Sequence, residues 1–595
     1  PLNITTTAIT VASGGTTLTL STTSPFTVSG GVTGTGNLIL RNNAGSNNAL
    51  SLITNLVNNT GTISNTGTGG DVLISAAIGS NVTAITENSS GYLSISGPIT
   101  TASTLTLTNS NSSGSSLLYI TGGFLGTGDL VLNNNSSITN GITLATNSVN
   151  NTGTITNSGS GSGRTLISAA LGSAVTGLTQ NSTTSLLQLS GSNGSFTNGT
   201  SVLAGTIYAD TANAFGTGGI VTLGNNTGSN AVAIYANATG SLSIGNAIVL
   251  TTNASIPSIT IGNTTAVSSG TTTFSGGVTG TNNLIISNNG AGALTFGTST
   301  LNNSGTIRNT GSGSGDTTVS AIIGSNVTGV TQNATSTLIL SNTSNAYGST
   351  TITSGTLKLG AAGVIPDSSA VSVTGTLDLN GYSETVGSIT GNGTITSSVS
   401  GTPTLTAGGN NTDTTFSGVI QNGSGTVSLT KSGTGTLTLS NNNTYTGATT
   451  ISAGTLTVSG TLADTTAVTV SSGATYNVNA NDTIGSLAGA GTVSTTSTGV
   501  TRTLTSGGDN TSTTFSGVIQ DNGTGLLALT KSGSGTLTLS GINTYTGTTA
   551  LTAGTIAISN SSALGGYASG QGTTITSGAA LSISGGITVA EPITI

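Results

Sequence analysis

Few side chains in this sequence can do chemistry, and their types narrow the choice at once. Histidine and cysteine are absent, and the 595 residues hold 14 acidic and 7 basic groups, for a net charge of −7. Charged residues make up 4% of the chain, against about 25% in an ordinary globular protein. A thiol nucleophile, an imidazole base, a disulfide and a zinc site built from Cys or His are excluded. Nucleic acid is a poor partner for a pI near 4.2, because phosphate binding needs clustered cations. What survives is carboxylate chemistry: two neighbouring acids, or an acid with Lys or Arg, in one groove.

Internal repeats test whether any such group is held in place. Asp71, Arg164 and Asp316 fall at one repeat position, so that position accepts either sign and reads as solvated. Glu87, Gln180 and Gln332 share a second position, and Arg308 stands where other copies have Ser64 and Thr156. Glu384 and Asp482 share a (D/E)-T-(V/I)-G-S turn, where a carboxylate caps backbone donors. Lys431 and Lys531 match within L-T-K-S-G. Each charge has a structural role to play, so no catalytic, cofactor-binding or metal-ligating residue is expected, and the chain is not expected to be an enzyme. The glycine-rich strings at 159–164 and 311–316 lack the G-K-[ST] of a phosphate cradle. Asp71 and Asp316 follow glycines as in calcium-binding nonapeptides, but without a nine-residue period. Calcium at a stray turn stays as the alternative. With no His or Cys and acids titrating low, stability is expected to ignore reductant and to stay flat between about pH 6 and 9.

The elements that position these groups are strands. The hydrophobic fraction is 33% with 93 glycines, and mean hydropathy is +0.22, so the chain is no disordered polyampholyte. Thr436-Leu437-Thr438-Leu439, Thr536-Leu537-Thr538-Leu539, Val468-Thr469-Val470 and Leu581-Ser582-Ile583 alternate with period two. Ser-Gly, Asn-Asn and Gly-Thr-Gly clusters separate them as turns. No apolar stripe of period 3.6 persists, and no run reaches the roughly 18 apolar residues of a membrane helix. The chain opens on Pro1 with no leader in view, so it reads as a processed product or an excised segment.

Repeats set the architecture. One block opens at Val57-Asn58-Asn59-Thr60-Gly61, Val149-Asn150-Asn151-Thr152-Gly153 and Leu301-Asn302-Asn303-Ser304-Gly305, each followed by an ISAA-like strand at Ile74, Ile167 and Val319. The intervals of 92 (149 − 57) and 152 (301 − 149) differ by inserted coils, since 205–260 keeps the same vocabulary. A second repeat starts at Thr337, Thr436 and Thr536, with a looser copy over 187–209 that has Phe196 near the tyrosine position. Its L-x-L-S strand, N-x-Y turn and following G-T-L strand resemble the autotransporter-associated β-strand repeat, also called the passenger-associated transport repeat. That resemblance implies a right-handed parallel β-helix exported to the bacterial surface, often within large adhesive or structural proteins. Family members of the type V route end in a membrane β-barrel. No barrel-like strands are expected in this stretch.

The expected fold is therefore all-β, a right-handed parallel β-helix forming a single elongated rod. Residues 1–595 are expected to be one continuous solenoid, with VNNTG-type blocks over 1–335 and LxLSNxNxYxG-type repeats over 336–595. Coils of roughly 20–30 residues give ~20–30 turns, and strands about 4.8 Å apart give a length on the order of 100–140 Å. Leu, Ile and Val should point inward and Thr and Ser outward. Asn-Asn pairs should stack as amide ladders, and Tyr445 and Tyr545 should cover coil corners. The expected function is an extracellular structural rod stacking head-to-tail into a filament or surface fibre. Residues 564–595 parallel 215–256, so Pro1 placed after Ile595 recreates an internal junction. The alternative is a passenger segment of a large autotransporter-like adhesin, and behind it an ice- or carbohydrate-binding face of Thr436, Thr438, Thr455 and Thr457. Expected partners are other copies of the chain and cell-surface or matrix polysaccharide, with no nucleic acid and no membrane span. The expected location is extracellular or at the bacterial cell surface, with no cofactor.

Overall fold

A chain of short strands with little charge can bury its apolar side chains only by laying each strand beside its own successor. The computed structural model describes residues 1–112, 114–566 and 571–595, and among these every regular element is a strand and no helix occurs. No helix among them is therefore long and apolar enough to cross a membrane. Of the 564–595 segment compared above with 215–256, residues 567–570 lie outside the described residues.

The chain forms two compact units, Pro1–Ala321 and Ile322–Ile595, and each is a parallel β-solenoid. In the first unit, Leu50, Val72, Leu93, Leu118 and Ile142 are successive register partners, at intervals of 22, 21, 25 and 24 residues. Each is 0% exposed. A second inward column runs through Leu52, Ile74, Ile95, Ile120, Leu144 and Ile167. A third face is barely a sheet: Val32, Val57, Ile78 and Ile99 are linked by single parallel bridges. These columns are the core, narrow and continuous along the coils.

The second unit follows the same plan. Leu338, Leu357, Leu377, Ile395 and Ile420 stack in one column. Glu384, Leu405, Leu429 and Thr449 form another, and Asp482, Leu504, Leu529 and Thr549 repeat it. The offsets between the two sets are 98, 99, 100 and 100 residues, so one unit of several coils is written twice.

The alternation read from the sequence fixes inside and outside in most strands. Thr436–Leu439 buries Leu437 and Leu439 and leaves Thr436 and Thr438 half-exposed. Three expectations need correction. Thr457, assigned to an outward threonine face, is 7% exposed, and Asn477 Nδ2 donates to its hydroxyl at 3.2 Å. Tyr445 and Tyr545 do not cover corners from outside; both are 0% exposed and lie within the core. Nor do the Asn-Asn pairs stack amide on amide. In the first block Asn58 Oδ1 accepts from the amide of Asn81 in the next coil (2.9 Å), while Asn59 Nδ2 donates to the Gly36 carbonyl in the preceding one (2.9 Å). Asn150 and Asn151 repeat both bonds, to Ala174 and Gly128. Each pair is a two-way clamp between coils.

Opposite faces of one strand should therefore respond very differently to charge. Leu437→Asp is expected to destabilise the second unit by several kcal/mol, because it buries an unpaired carboxylate. Thr438→Asp on the half-exposed face is expected to change it by under about 1 kcal/mol. Chemical unfolding of both variants checks this, and equal losses would contradict the register.

Candidate functional site

A solenoid strand satisfies its backbone with the coils on either side. At a corner the chain leaves that ladder, and its carbonyls and amides need other partners. The residue that ends a strand just before the corner meets this need with an inward polar side chain. Asn65, Glu87, Asn109 and Asn134 occupy this slot in four consecutive coils, in register and each 0% exposed. Asn109 Nδ2 donates to the carbonyls of Ser116 (3.0 Å) and Gly141 (2.6 Å). Asn157 Nδ2 donates to Gln180 Oε1 (2.7 Å), and Gln180 Nε2 to the carbonyls of Ser182 and Ser185.

The slot shared by Glu87, Gln180 and Gln332 is thus a buried corner cap, and it contains both repeat lysines as well. Glu87, Gln332, Lys431 and Lys531 each precede the first leucine of an L-x-(L/I) strand by six residues. Both lysines are 1% exposed. Lys431 Nζ donates to the carbonyls of Ser432, Gly433 (2.9 Å) and Ala453 (3.3 Å), and Lys531 Nζ to those of Ser532 and Gly533 (2.9 Å). Burial pulls both ammonium groups below the usual lysine value, against the opposing pull of Asp413 and Asp509 respectively. The six-residue spacing is what marks this role in the sequence.

Glu87 accepts from Asn65 Nδ2 (2.8 Å), from the Ser89 amide (2.6 Å) and hydroxyl (2.7 Å), and from Asn111 Nδ2 (3.3 Å). Burial nonetheless outweighs these donors and pushes its carboxyl up to about 7. Glu384 and Asp482 cap backbone donors as the shared turn suggests, taking the amides of Val364 and Leu462, both at 3.1 Å. They are also 2% and 4% exposed, and burial pushes them up to about 7 and about 6. Tyr476 donates its hydroxyl to Asp482 Oδ2 at 3.0 Å.

The remaining charged positions do not converge. Asp71 Oδ1 accepts from the Tyr92 amide at 2.7 Å, Arg164 Nη1 donates to Gln188 Oε1 at 2.7 Å, and Arg308 and Asp316 are exposed. Lys358 and Asp378, partners in neighbouring strands, form an ion pair at 4.0 Å. Among the described residues no three acids gather as a metal site would require. The arrangement ties coils together.

The same clamps recur in the tyrosine turns. Asn345 Oδ1 accepts from the Ile323 amide (2.8 Å), Asn443 Oδ1 from Ile420 (2.9 Å) and Asn543 Oδ1 from Ile519 (2.8 Å). Two residues on, Tyr347, Tyr445 and Tyr545 share a hydrogen bond with the hydroxyls of Thr350, Thr449 and Thr549 at 3.1, 2.6 and 2.6 Å. A family model described as Passenger-associated-transport-repeat matches residues 330–359, 429–458 and 529–558, which are the three segments that carry these turns. The chain contains three passenger-associated transport repeats. Each repeat supplies a corner cap (Gln332, Lys431 or Lys531), an L-x-L strand, a clamping Asn and a buried Tyr. The looser copy over 187–209 lies outside the matched residues, yet it contains the clamp: Asn193 accepts from the Leu171 amide (2.9 Å) and donates to the Ala214 carbonyl (2.7 Å). No curated protein and no solved structure matches the chain. Repeats of this type imply a secreted or cell-surface protein.

The buried acids overturn the expectation of a flat pH profile. In the unfolded chain a glutamate ionises near 4.5, whereas folded Glu87 keeps its proton to about 7. Between those values the unfolded state binds fewer protons, so stability falls as pH rises, by roughly 3 kcal/mol at completion for this one group. Glu384 and Asp482 act in the same direction in the second unit. Denaturant titrations at pH 5 and pH 8 should show that loss, and Glu87→Gln, the residue found in two other copies of the slot, should remove it from residues 1–321. An unchanged pH dependence in this variant would show that Glu87 does not titrate there.

Proposed function

We propose that this chain is the non-enzymatic, structural part of an exported passenger, a solenoid that provides stiffness and persistence at or outside the bacterial surface. The observation that supports this most is the fate of the scarce titratable groups. Glu87, Lys431, Lys531, Glu384 and Asp482 are buried and bonded to backbone, so these five serve the packing of coils. The passenger-associated repeats favour export within an autotransporter-like protein.

Within this reading, coils add end to end. Leu2–Ile4 is bonded on one edge to Phe26–Val28, and Ala580–Ile583 on one edge to Thr555–Ile558. Leu2 and Ile583 are 57% and 50% exposed. An open parallel edge accepts a further coil, from a continuing polypeptide or from a second copy, and head-to-tail stacking of copies gives an open filament. Sedimentation and negative-stain imaging of the 56.9 kDa chain test the stacking. The expected result is particles that lengthen with concentration at constant width and dissociate to that mass. A monodisperse population at every concentration would contradict filament formation while leaving the passenger reading in place.

A further inference from the structure

Coil length is not uniform in residues 1–321, and the place where it changes most leaves a feature that the structural role does not use. The strand Thr200–Ala209 rounds a corner without an intervening loop, pairing with Gly177–Asn181 through its first half and with Leu187–Leu189 through its second. Gly205 makes this passage: its φ is +76°, and a Cβ there would lie 1.9 Å from the Ser182 carbonyl. Because this coil skips its corner loop, the loops before and after it overhang a recess.

Two tyrosines stand beside that recess. Tyr208 and Tyr235 are register partners on adjacent coils, both half-exposed, with ring centroids 6.2 Å apart and planes at 88°. Gly262, the register partner of Tyr235 on the next coil, has no side chain to crowd that position. The edge-to-face contact sets the two rings against one another before any ligand arrives. A cleft of about 320 Å³ opens on one side of Tyr235, lined by Thr183, Thr206, Ser258 and Thr260 among others. A second, about 270 Å³, opens on the other side and brings in Tyr208, Thr264, Asn289 and Ser312.

We propose that Tyr208 and Tyr235 form a binding site for a neutral polysaccharide chain, laid across both clefts. Aromatic rings flanked by hydroxyl and amide groups match a ligand that offers apolar C–H faces and hydroxyls together. The neighbouring charges are already engaged. Gln188 Nε2 (2.6 Å) and Asn237 Nδ2 (2.9 Å) hold Asp210, and Gln188 Oε1 accepts from Arg164. No free cation lines either cleft to draw an acidic polymer, so binding should be insensitive to salt. The site is distinct from the threonine face that Thr457 breaks, and it does not depend on the route of export or on filament formation.

Native affinity electrophoresis of the full chain in gels containing dextran, laminarin or polygalacturonate tests the proposal. Retardation is expected in at least one of the two neutral glucans and to the same extent when salt is added. Tyr208→Ala and Tyr235→Ala should each weaken it about 10-fold, roughly 1.4 kcal/mol. Thr206→Arg, which puts a bulky side chain into the first cleft, should also abolish it. Tyr119→Ala, which alters an outward tyrosine on another coil, should leave it unchanged, and circular dichroism confirms that each variant is folded. No retardation by either neutral glucan, retardation by polygalacturonate alone, or equal retardation of the wild-type chain and the three cleft variants would each overturn the site.

Discussion

The structure depends on how a parallel solenoid satisfies its corners. Along the strands, backbone groups pair with the coils before and after, and apolar columns such as Leu50–Val72–Leu93–Leu118 follow from that register. Corners have no such ladder, and a buried orphan carbonyl or amide costs about 1–3 kcal/mol. The chain answers with one inward polar residue at the end of a strand. Asn, Gln, Glu and Lys all serve, because each presents donors or acceptors on a stem long enough to reach the turn. That interchangeability explains why a glutamate and a lysine occupy one repeat position. Charge is incidental there; hydrogen bonding to the corner is what the position requires.

Much of this was legible in the sequence. Period-two strands, a repetitive solenoid and inward Leu437 and Leu439 follow from spacing and composition, and the parallel helix and passenger-associated repeats from the resemblance of the tyrosine-turn segments to a known family. Depth was not. Alternation distinguishes two faces of a strand, but Thr457 points away from the columns and is still covered, and Tyr445 fits inside because Thr449 offers its hydroxyl a partner. Lys431 was legible as a repeat match within L-T-K-S-G with a structural role, but not as an inward group that caps a corner. Tyr208 and Tyr235 lie 27 residues apart (235 − 208), and only the register of irregular coils makes them neighbours.

Irregularity and function are connected here. Uniform coils would give flat faces with few recesses, whereas the loop-free passage of Thr200–Ala209 around a corner creates one and leaves two rings standing beside it. The same freedom explains how the block interval stretches from 92 to 152 residues without a change of fold: added coils need only repeat the columns and the caps. Tolerance of such insertions suits a passenger whose length and surface relief vary while its core stays the same.

Amide hydrogen exchange at single-residue resolution tests the corner account most directly. The amides of Ser89, Leu171, Ile420 and Ile519 donate to the side chains of Glu87, Asn193, Asn443 and Asn543 at 2.6–2.9 Å. If those side chains close the corners, these four amides should exchange as slowly as a core strand amide such as Leu107. Exchange at the rate of an unstructured peptide would contradict the account, since the corners would then be open to water and the buried polar caps would not be holding them.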